Sequence, residues 1–564
     1  MKRLFAITLG LIVAMGLAFG GSKGFRLYNL KREIKKRRTP GTLQYEKPII
    51  VVIPSYNNEK YCEHNLRSVF DQKYSNFRVI YIDDASKDGT PAKVQAFFKT
   101  ARKDIPATLI HNETNRGALA NLYNAIHSCP DDAIIVTVDG DDYLAHEYVL
   151  DKLNRIYSND TIWMTYGNFL NYPTYTQTPV TCKQIPYSVI LNNSFRKAEW
   201  VSSHLRTFYA GLFKKIKLQD FLLEGRFLPM GWDLAFMLPM LEMSGKRAHF
   251  VKDVLYLYNR ENPINDHKVN LKLQSACNHF VRDLRPYTPI TTLEIPQQKQ
   301  AADCIVFSYD RPMQLYALLE SLEQKAKGLE KTHVIYRASS QEFDDAYQKV
   351  FTRFSFATPL KEDNNFRELF FQAFSSPSPY LIMAVDDIVV TDTIDLTSAI
   401  ASLKATHAYG FYFSHGKNLR TCYMQNREQP LPTHVSLNNN TYAWQFDRGE
   451  ADWNYPNTVD MALYKKSDIE NDLRKISFHN PPTLESNWAH KSKRKKVGLF
   501  SETSKSVNLP LNLVSPSTNR HSATYTPGEL LSLFNQGLKI DIAPLDHLAP
   551  PSRHMDYKPT LVKR

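Results

Sequence analysis

At 564 residues the chain is too long for a single hydrophobic core and calls for two or more domains. With 43% hydrophobic, 23% charged and 12% aromatic residues it lies in the ordinary globular range, which excludes a disordered or fibrous chain. The net charge of +13 does not describe a nucleic-acid surface: the first forty residues carry ten Lys and Arg against Glu33 alone, and the rest is only mildly basic.

Leu4 to Gly21 is an apolar run without charge, long enough for a short or tilted membrane span. Lys2-Arg3 before it and the small residues from Ala18 to Gly21 also fit a cleaved signal peptide. The basic residues concentrate after the run, so the positive-inside rule predicts a single-pass anchor at residues 1–21 with cytoplasmic catalytic domains. Residues 22–46 read as a basic juxtamembrane linker able to touch anionic lipid headgroups. The six cysteines have no CxxC pairing and read as reduced, buried thiols.

A first domain is expected over 47–296. Pro48 to Asn57 is an apolar strand ending in Ser55-Tyr56-Asn57, and a helical pattern follows from Cys62 to Gln72. Phe77 to Thr90 repeats the scheme, its strand ending in Asp83-Asp84. His111 to Ile126 opens on Asn, Arg and Gly and continues as an amphipathic helix. Ala133 to Val138 is β-branched and apolar and stops at three carboxylates, Asp139, Asp141 and Asp142. Alternating strands and helices predict an α/β fold with a mostly parallel sheet, and ligands bind beyond the carboxyl ends of such strands. Carboxylates gathered there suit Mn²⁺ or Mg²⁺ bridging to phosphate oxygens. No GxxxxGK[ST] loop and no GxGxxG turn occurs, so a glycine cradle for phosphates is absent.

These pieces carry a resemblance. IPSYNNEKY, YIDDASKDGT, NRGALANLYNAI and VDGDD, in that order, make residues 48 to about 270 similar to a family 2 glycosyltransferase of the GT-A fold. The resemblance implies that Ser55, Tyr56 and Asp83 hold nucleobase and ribose, with Arg116 nearby. It makes Asp139 and Asp141 the DxD pair, Asp141 being the direct metal ligand. It also implies that Asp233, in MGWDLAF, is the base, although Trp232 stands where the family usually has Glu. His267 is either a third metal ligand or a surface histidine. Trp200 to Phe208 suits stacking on a sugar acceptor, or is a plain amphipathic helix. The implied activity is metal-dependent transfer, with inversion, from a nucleotide-sugar, a UDP-sugar first, to a glycan or lipid-linked acceptor.

From 297 to 564 the scheme begins again as a second, divergent GT-A-like domain. CIVFSYDRP echoes the first strand, HVIYRAS the second and YLIMAVDDI the acidic one. Arg337 stands in place of the nucleotide-binding aspartate, and Asp386-Asp387 is a shortened acidic pair. Asp460 and Glu485 follow proline turns and are candidates for an acceptor cleft. This half is either a second transferase or a degenerate copy that holds glycan. The Pro-rich end from Ala543 reads as a surface tail. The competing classes for the whole are a glycan-binding or assembly protein on a degenerate fold, and a nucleotidyltransferase.

Overall fold

The computed structural model describes residues 46–177, 182–263, 270–293, 301–491, 496–514, 520–522 and 525–564. They form two compact units, one of residues 46–216 and 227–293, the other of 217–226 and 301–564.

The first unit is built on β1 (Ile49–Ser55), buried along its whole length. β2 (Phe77–Asp83) and β4 (Ile134–Thr137) flank it in parallel, Ile49 facing both Phe77 and Ile134. β3 (Ala107–His111) adds outside β2. Parallel neighbours require crossovers, supplied here by α1 (Cys62–Phe70), the helix Thr90–Thr100 and α3 (Ala118–His127), taking Thr90–Thr100 as α2. Helices over both faces explain why β1 and β4 read as unbroken apolar runs. Ile49, Val51 and Ile53 share a core cluster with Leu66, Val69 and Phe70 of α1. Each such side chain contributes about 1.5–3 kcal/mol by leaving water.

Beyond β4 the sheet departs from the mostly parallel expectation. β7 (Arg206–Tyr209) lies antiparallel between β4 and β6 (Met164–Tyr172), β8 (Ala248–Asn259) runs parallel to β6, and β5 (Tyr143–Leu144) is antiparallel to β8. The order is β3-β2-β1-β4-β7-β6-β8-β5, a mixed sheet. The stretch 200–208 thus runs into a strand and is not a helix. A short aromatic-rich run fits either period, and the open edges of β4 and β6 decide it.

The second unit contains β9 (Ala302–Tyr309), β10 (Leu329–Arg337), β11 (Ala357–Lys361), β12 (Tyr380–Val385), β13 (Gly410–Tyr412), β14 (His434–Ser436), β15 (Thr441–Gln445), β16 (Ala462–Lys465) and β17 (Val497–Ser501). Their order is β11-β10-β9-β12-β16-β13-β17-β15-β14. Strand for strand, β9, β10, β11, β12, β13, β16 and β17 repeat the chain order, neighbours and relative directions of β1, β2, β3, β4, β6, β7 and β8. This sheet too is mixed. The stretch from Ala543 is not a loose tail: Ser552 and Arg553 are buried, and Leu561–Lys563 pairs with Leu538–Ile540. Arg553 finds acidic partners far away in the chain, which local composition does not reveal.

The single-pass anchor with cytoplasmic catalytic domains is withdrawn. Among the described residues no helix is long and apolar enough to cross a membrane. The longest, Pro312–Lys325, has 14 residues, where a span needs about 20. Residues 1–21 and the linker to 45 lie outside the described residues.

Candidate active site

The acidic turn after β4 is pinned against the end of β1. Val138 N donates to Val52 O at 3.1 Å and Gly140 N to Pro54 O at 3.1 Å, so the two chains stay paired past the strand. A Cβ on Gly140 would lie 2.6 Å from Ser55 Cβ, so only glycine allows this approach. The Asn65 amide donates to Asp139 O at 2.9 Å and to Asp142 O at 2.7 Å, closing the turn from the α1 side.

The three carboxylates divide into two kinds. Asp142 is buried; its oxygens accept from Tyr256 OH at 2.7 Å and from Asn259 N at 2.6 Å, so it fastens the turn to β8. Burial, with Asp141 and Asp139 beside it, holds its carboxyl well above the usual range. Asp139 and Asp141 instead line a cleft of about 320 Å³ together with Ser55, Tyr56 and Trp232. The Asn262 amide donates to Asp141 Oδ2 at 2.7 Å.

The two carboxylates at the end of β2 also have distinct roles, and of the two Asp84 lines the cleft. Asp84 accepts from Arg116 N and Gly117 N, each at 2.8 Å, and from the Asn112 amide. It therefore shapes the turn into α3, and the Arg116 side chain is left exposed. Asp83 is buried: its Oδ2 contacts His111 Nδ1 at 2.8 Å, and its Oδ1 has no hydrogen-bond partner. A buried carboxylate oxygen left unpaired suits a donor brought by a ligand. Ser55 Oγ accepts from Tyr81 OH at 2.8 Å and from the Asn58 amide at 3.0 Å, while Tyr56 remains 38% exposed.

Asp233 opens α4 (Trp232–Ser244). Its Oδ2 accepts from Arg206 Nη2 at 3.0 Å and its Oδ1 from Leu234 N at 3.0 Å. Arg206 is buried on β7, its guanidinium 5.7 Å over the Trp232 ring. His204, two residues earlier, stacks on Tyr256 with ring centroids 4.3 Å apart. Burial and the charge of Arg206 hold this imidazole well below its ordinary range, so the ring is neutral. Ligand atoms of His204, Asp139 and Asp142 lie within 4.8 Å of one another, a donor set that fits a divalent ion. Sequence reading named Asp139 and Asp141 for a metal and passed over His204, although the segment containing it was singled out for another reason. His267 lies outside the described residues.

In the second unit Asp386, Asp387, Asp460 and Glu485 come together, but with arginines among them. Arg311 Nη1 donates to Asp386 Oδ1 at 3.0 Å and to Asp387 Oδ2 at 3.5 Å. Arg553 Nη2 donates to Asp460 Oδ2 at 2.8 Å. Glu485, on α5 (Pro481–Ala489), accepts at Oε1 from Thr458 Oγ1 at 2.8 Å and from Val459 N at 3.1 Å. Neither arginine was legible as a site residue, since each meets its partners only through the fold.

Residues 50–215 match the family model described as Glycosyl transferase family 2. The chain thus carries a family 2 glycosyltransferase domain, which lies in the first unit. It is 27% identical over 190 residues to the bifunctional glycosyltransferase pgtA of Dictyostelium discoideum, covering 30% of this chain and 25% of that protein. It is 28% identical over 147 residues to the Escherichia coli UDP-Glc:alpha-D-GlcNAc-diphosphoundecaprenol beta-1,3-glucosyltransferase WfgD, covering 26% of this chain and 55% of that one. Among solved structures, S. aureus TarS matches at 19% identity over 38% of this chain and 36% of its own, with a TM-score of 0.30. The chain therefore spans roughly a quarter to a half of the length of these three proteins.

Proposed function

We propose that the first unit transfers a sugar from a nucleotide-diphosphate donor, a UDP-sugar first, to a hydroxyl of a glycan or lipid-linked acceptor in cell-surface polysaccharide synthesis, with inversion at the anomeric carbon. The observation that carries this reading is one cleft lined by Ser55 at the end of β1 and Tyr56 just after it, the acidic pair Asp139 and Asp141, and Trp232, the neighbour of Asp233. The unpaired Asp83 Oδ1 supports a nucleobase donor at the β2 end. The WfgD relative, named for a diphosphoundecaprenol-linked substrate, supports a lipid-linked acceptor class.

Asp139, with His204 and Asp142 close by, and Asp141, which lines the same cleft, would hold Mn²⁺ or Mg²⁺. Such an ion, when bound, supplies Lewis-acid stabilisation of diphosphate charge. The residues of the chain do the remainder. Asp233 receives the proton of the attacking hydroxyl, held in one orientation by Arg206 and Leu234 N. Trp232 offers an aromatic face in the cleft where the family pattern has a second carboxylate. The deciding experiment measures nucleotide release with a panel of UDP-, GDP- and dTDP-sugars. Release with one donor, stimulated by a lipid-linked or glycan acceptor, is the expected result; no turnover with any of them would remove the reading.

A further inference from the structure

The second unit repeats the topology of the first, and its carboxylates stand at matching positions. Its acidic pair follows β12 as Asp139 and Asp141 follow β4, and Glu485 lies on a helix after β16 as Asp233 lies on one after β7. The strand-end position is the same, but the surroundings of the carboxylates differ.

Asp386 is buried, and its oxygens accept from Ser308 Oγ at 2.9 Å, Tyr309 N at 3.3 Å and Arg311 Nη1 at 3.0 Å. The same guanidinium donates to Asp387, and its Nε donates to Asn512 Oδ1 at 2.9 Å. Arg311 is thus a largely buried cation, its side chain 11% exposed, held on several sides with both aspartates as partners. A divalent ion at this pair would have to displace it and leave a guanidinium buried without its counter-charges, which is strongly unfavourable. The pair does not fit a metal.

Around it the polar groups are only partly satisfied. Arg553 is 3% exposed, and its Nε is buried without a partner, as is Asp387 Oδ1. Burial and the neighbouring Asp460 push Glu485 up to about 7, and burial together with Asp386 and Asp460 does the same to Asp387. Proton acceptors in that range concentrate at functional sites. Asp460 also lies 4.0 Å from His554 Nε2, and His554 lines a cleft of about 380 Å³ together with Tyr423 and Arg520. Tyr423 stacks on His554 at 5.9 Å and carries the Arg520 guanidinium at 4.2 Å, an aromatic and cationic wall.

The geometry points to a second transfer site in this unit, taking a nucleoside-diphosphate sugar without a divalent ion, with Arg311 in the place of the metal and Glu485 as the proton acceptor. The inference rests on reading the first unit as a transferase, because the positional match is to that unit. In the step, the acceptor hydroxyl oxygen bonds to the anomeric carbon as the bond from that carbon to the diphosphate oxygen breaks. The bonding pair leaves on the nucleoside diphosphate, and the hydroxyl proton passes to Glu485.

The test uses the full chain carrying Asp139→Ala and Asp141→Ala, titrated calorimetrically with UDP, GDP and CDP in EDTA. One saturable binding event is expected to persist. Binding that appears only with Mn²⁺, or none with any of the three, overturns the proposal. Adding Glu485→Gln should preserve that binding while slowing nucleotide release from the matching sugar donor about 10²–10⁴-fold. Unchanged release would overturn the role of Glu485, and a thermal melt checks that the variant is folded. The Mn²⁺-dependent event of the unmodified chain, expected to vanish in the double variant, reports on the first unit alone, so the two readings fail separately.

Discussion

Arg206 donates to Asp233 across 3.0 Å, and the same nitrogen lies 3.4 Å from His204 Nε2. A side chain on β7 thereby fixes the carboxylate at the start of α4. Asp233→Asn should keep donor affinity and lower kcat by about 10²–10⁴-fold, because an amide cannot take the acceptor proton. Arg206→Lys keeps the charge but not the planar fork. It should lower kcat with little change in donor KM. A rise in donor KM with kcat intact would show that Arg206 serves donor binding instead.

Asp141→Asn should remove metal-dependent nucleotide binding without loss of fold, because the residue lines a cleft and is not packed in a core. Calorimetry with Mn²⁺ and with chelator checks this. Equal binding of nucleotide in both would contradict the metal assignment.

Asp83 has one oxygen on His111 and one unpaired. Asp83→Ala should weaken nucleotide binding by about 1.5–3 kcal/mol, the worth of a hydrogen bond to a charged group. The loss should be the same for the sugar nucleotide and the free nucleoside diphosphate, since the contact is to the base end.

Gly140→Ala places a methyl group 2.6 Å from Ser55 Cβ and Oγ. Overpacking of this kind costs about 1–3 kcal/mol in stability. Activity should fall further than stability, because relief of the clash moves Asp139 and Asp141 away from β1. Chemical denaturation and turnover on the same preparation separate the two effects.

Glu485 gives a pH signature. Burial and the nearby Asp460 raise its carboxyl from an ordinary 4.5 to about 7 in the folded chain, against the opposing charge of Arg553. The folded state holds this proton more tightly than the unfolded state. The resulting stability is complete below about 4.5 and is lost as pH rises through about 7. The thermal midpoint of the second unit should therefore fall between pH 5 and pH 8, and Glu485→Gln should flatten that fall. An equal slope in the variant would assign the effect elsewhere.

The parallel half of each sheet was legible because strands buried on both faces have to be apolar throughout. Their polar ends stand out for the same reason: Ser55, Asp83 and Asp139 follow runs with no other place for a charge. The antiparallel half was not legible. Arg206–Tyr209 and Tyr143–Leu144 are too short for a period, and their neighbours in the sheet are distant in sequence. The same limit hid Arg311 and Arg553, whose carboxylate partners lie scores of residues away. Asp83 and Asp84 looked alike in sequence, and only the turn before α3 separates the one that shapes the loop from the one with an unpaired oxygen.

Among the described residues, the strand of each large sheet that is made first becomes an interior strand. β1 keeps an open edge on the ribosome until Ile134–Thr137 has emerged, and β9 does so until Tyr380–Val385 has. An apolar strand with an open edge is a template for a neighbouring chain, and pairing across so much sequence is slow. Each nascent polypeptide therefore passes twice through an interval in which it must be shielded from its copies. Losses on overproduction should arise at that stage of synthesis, before the finished sheets have closed.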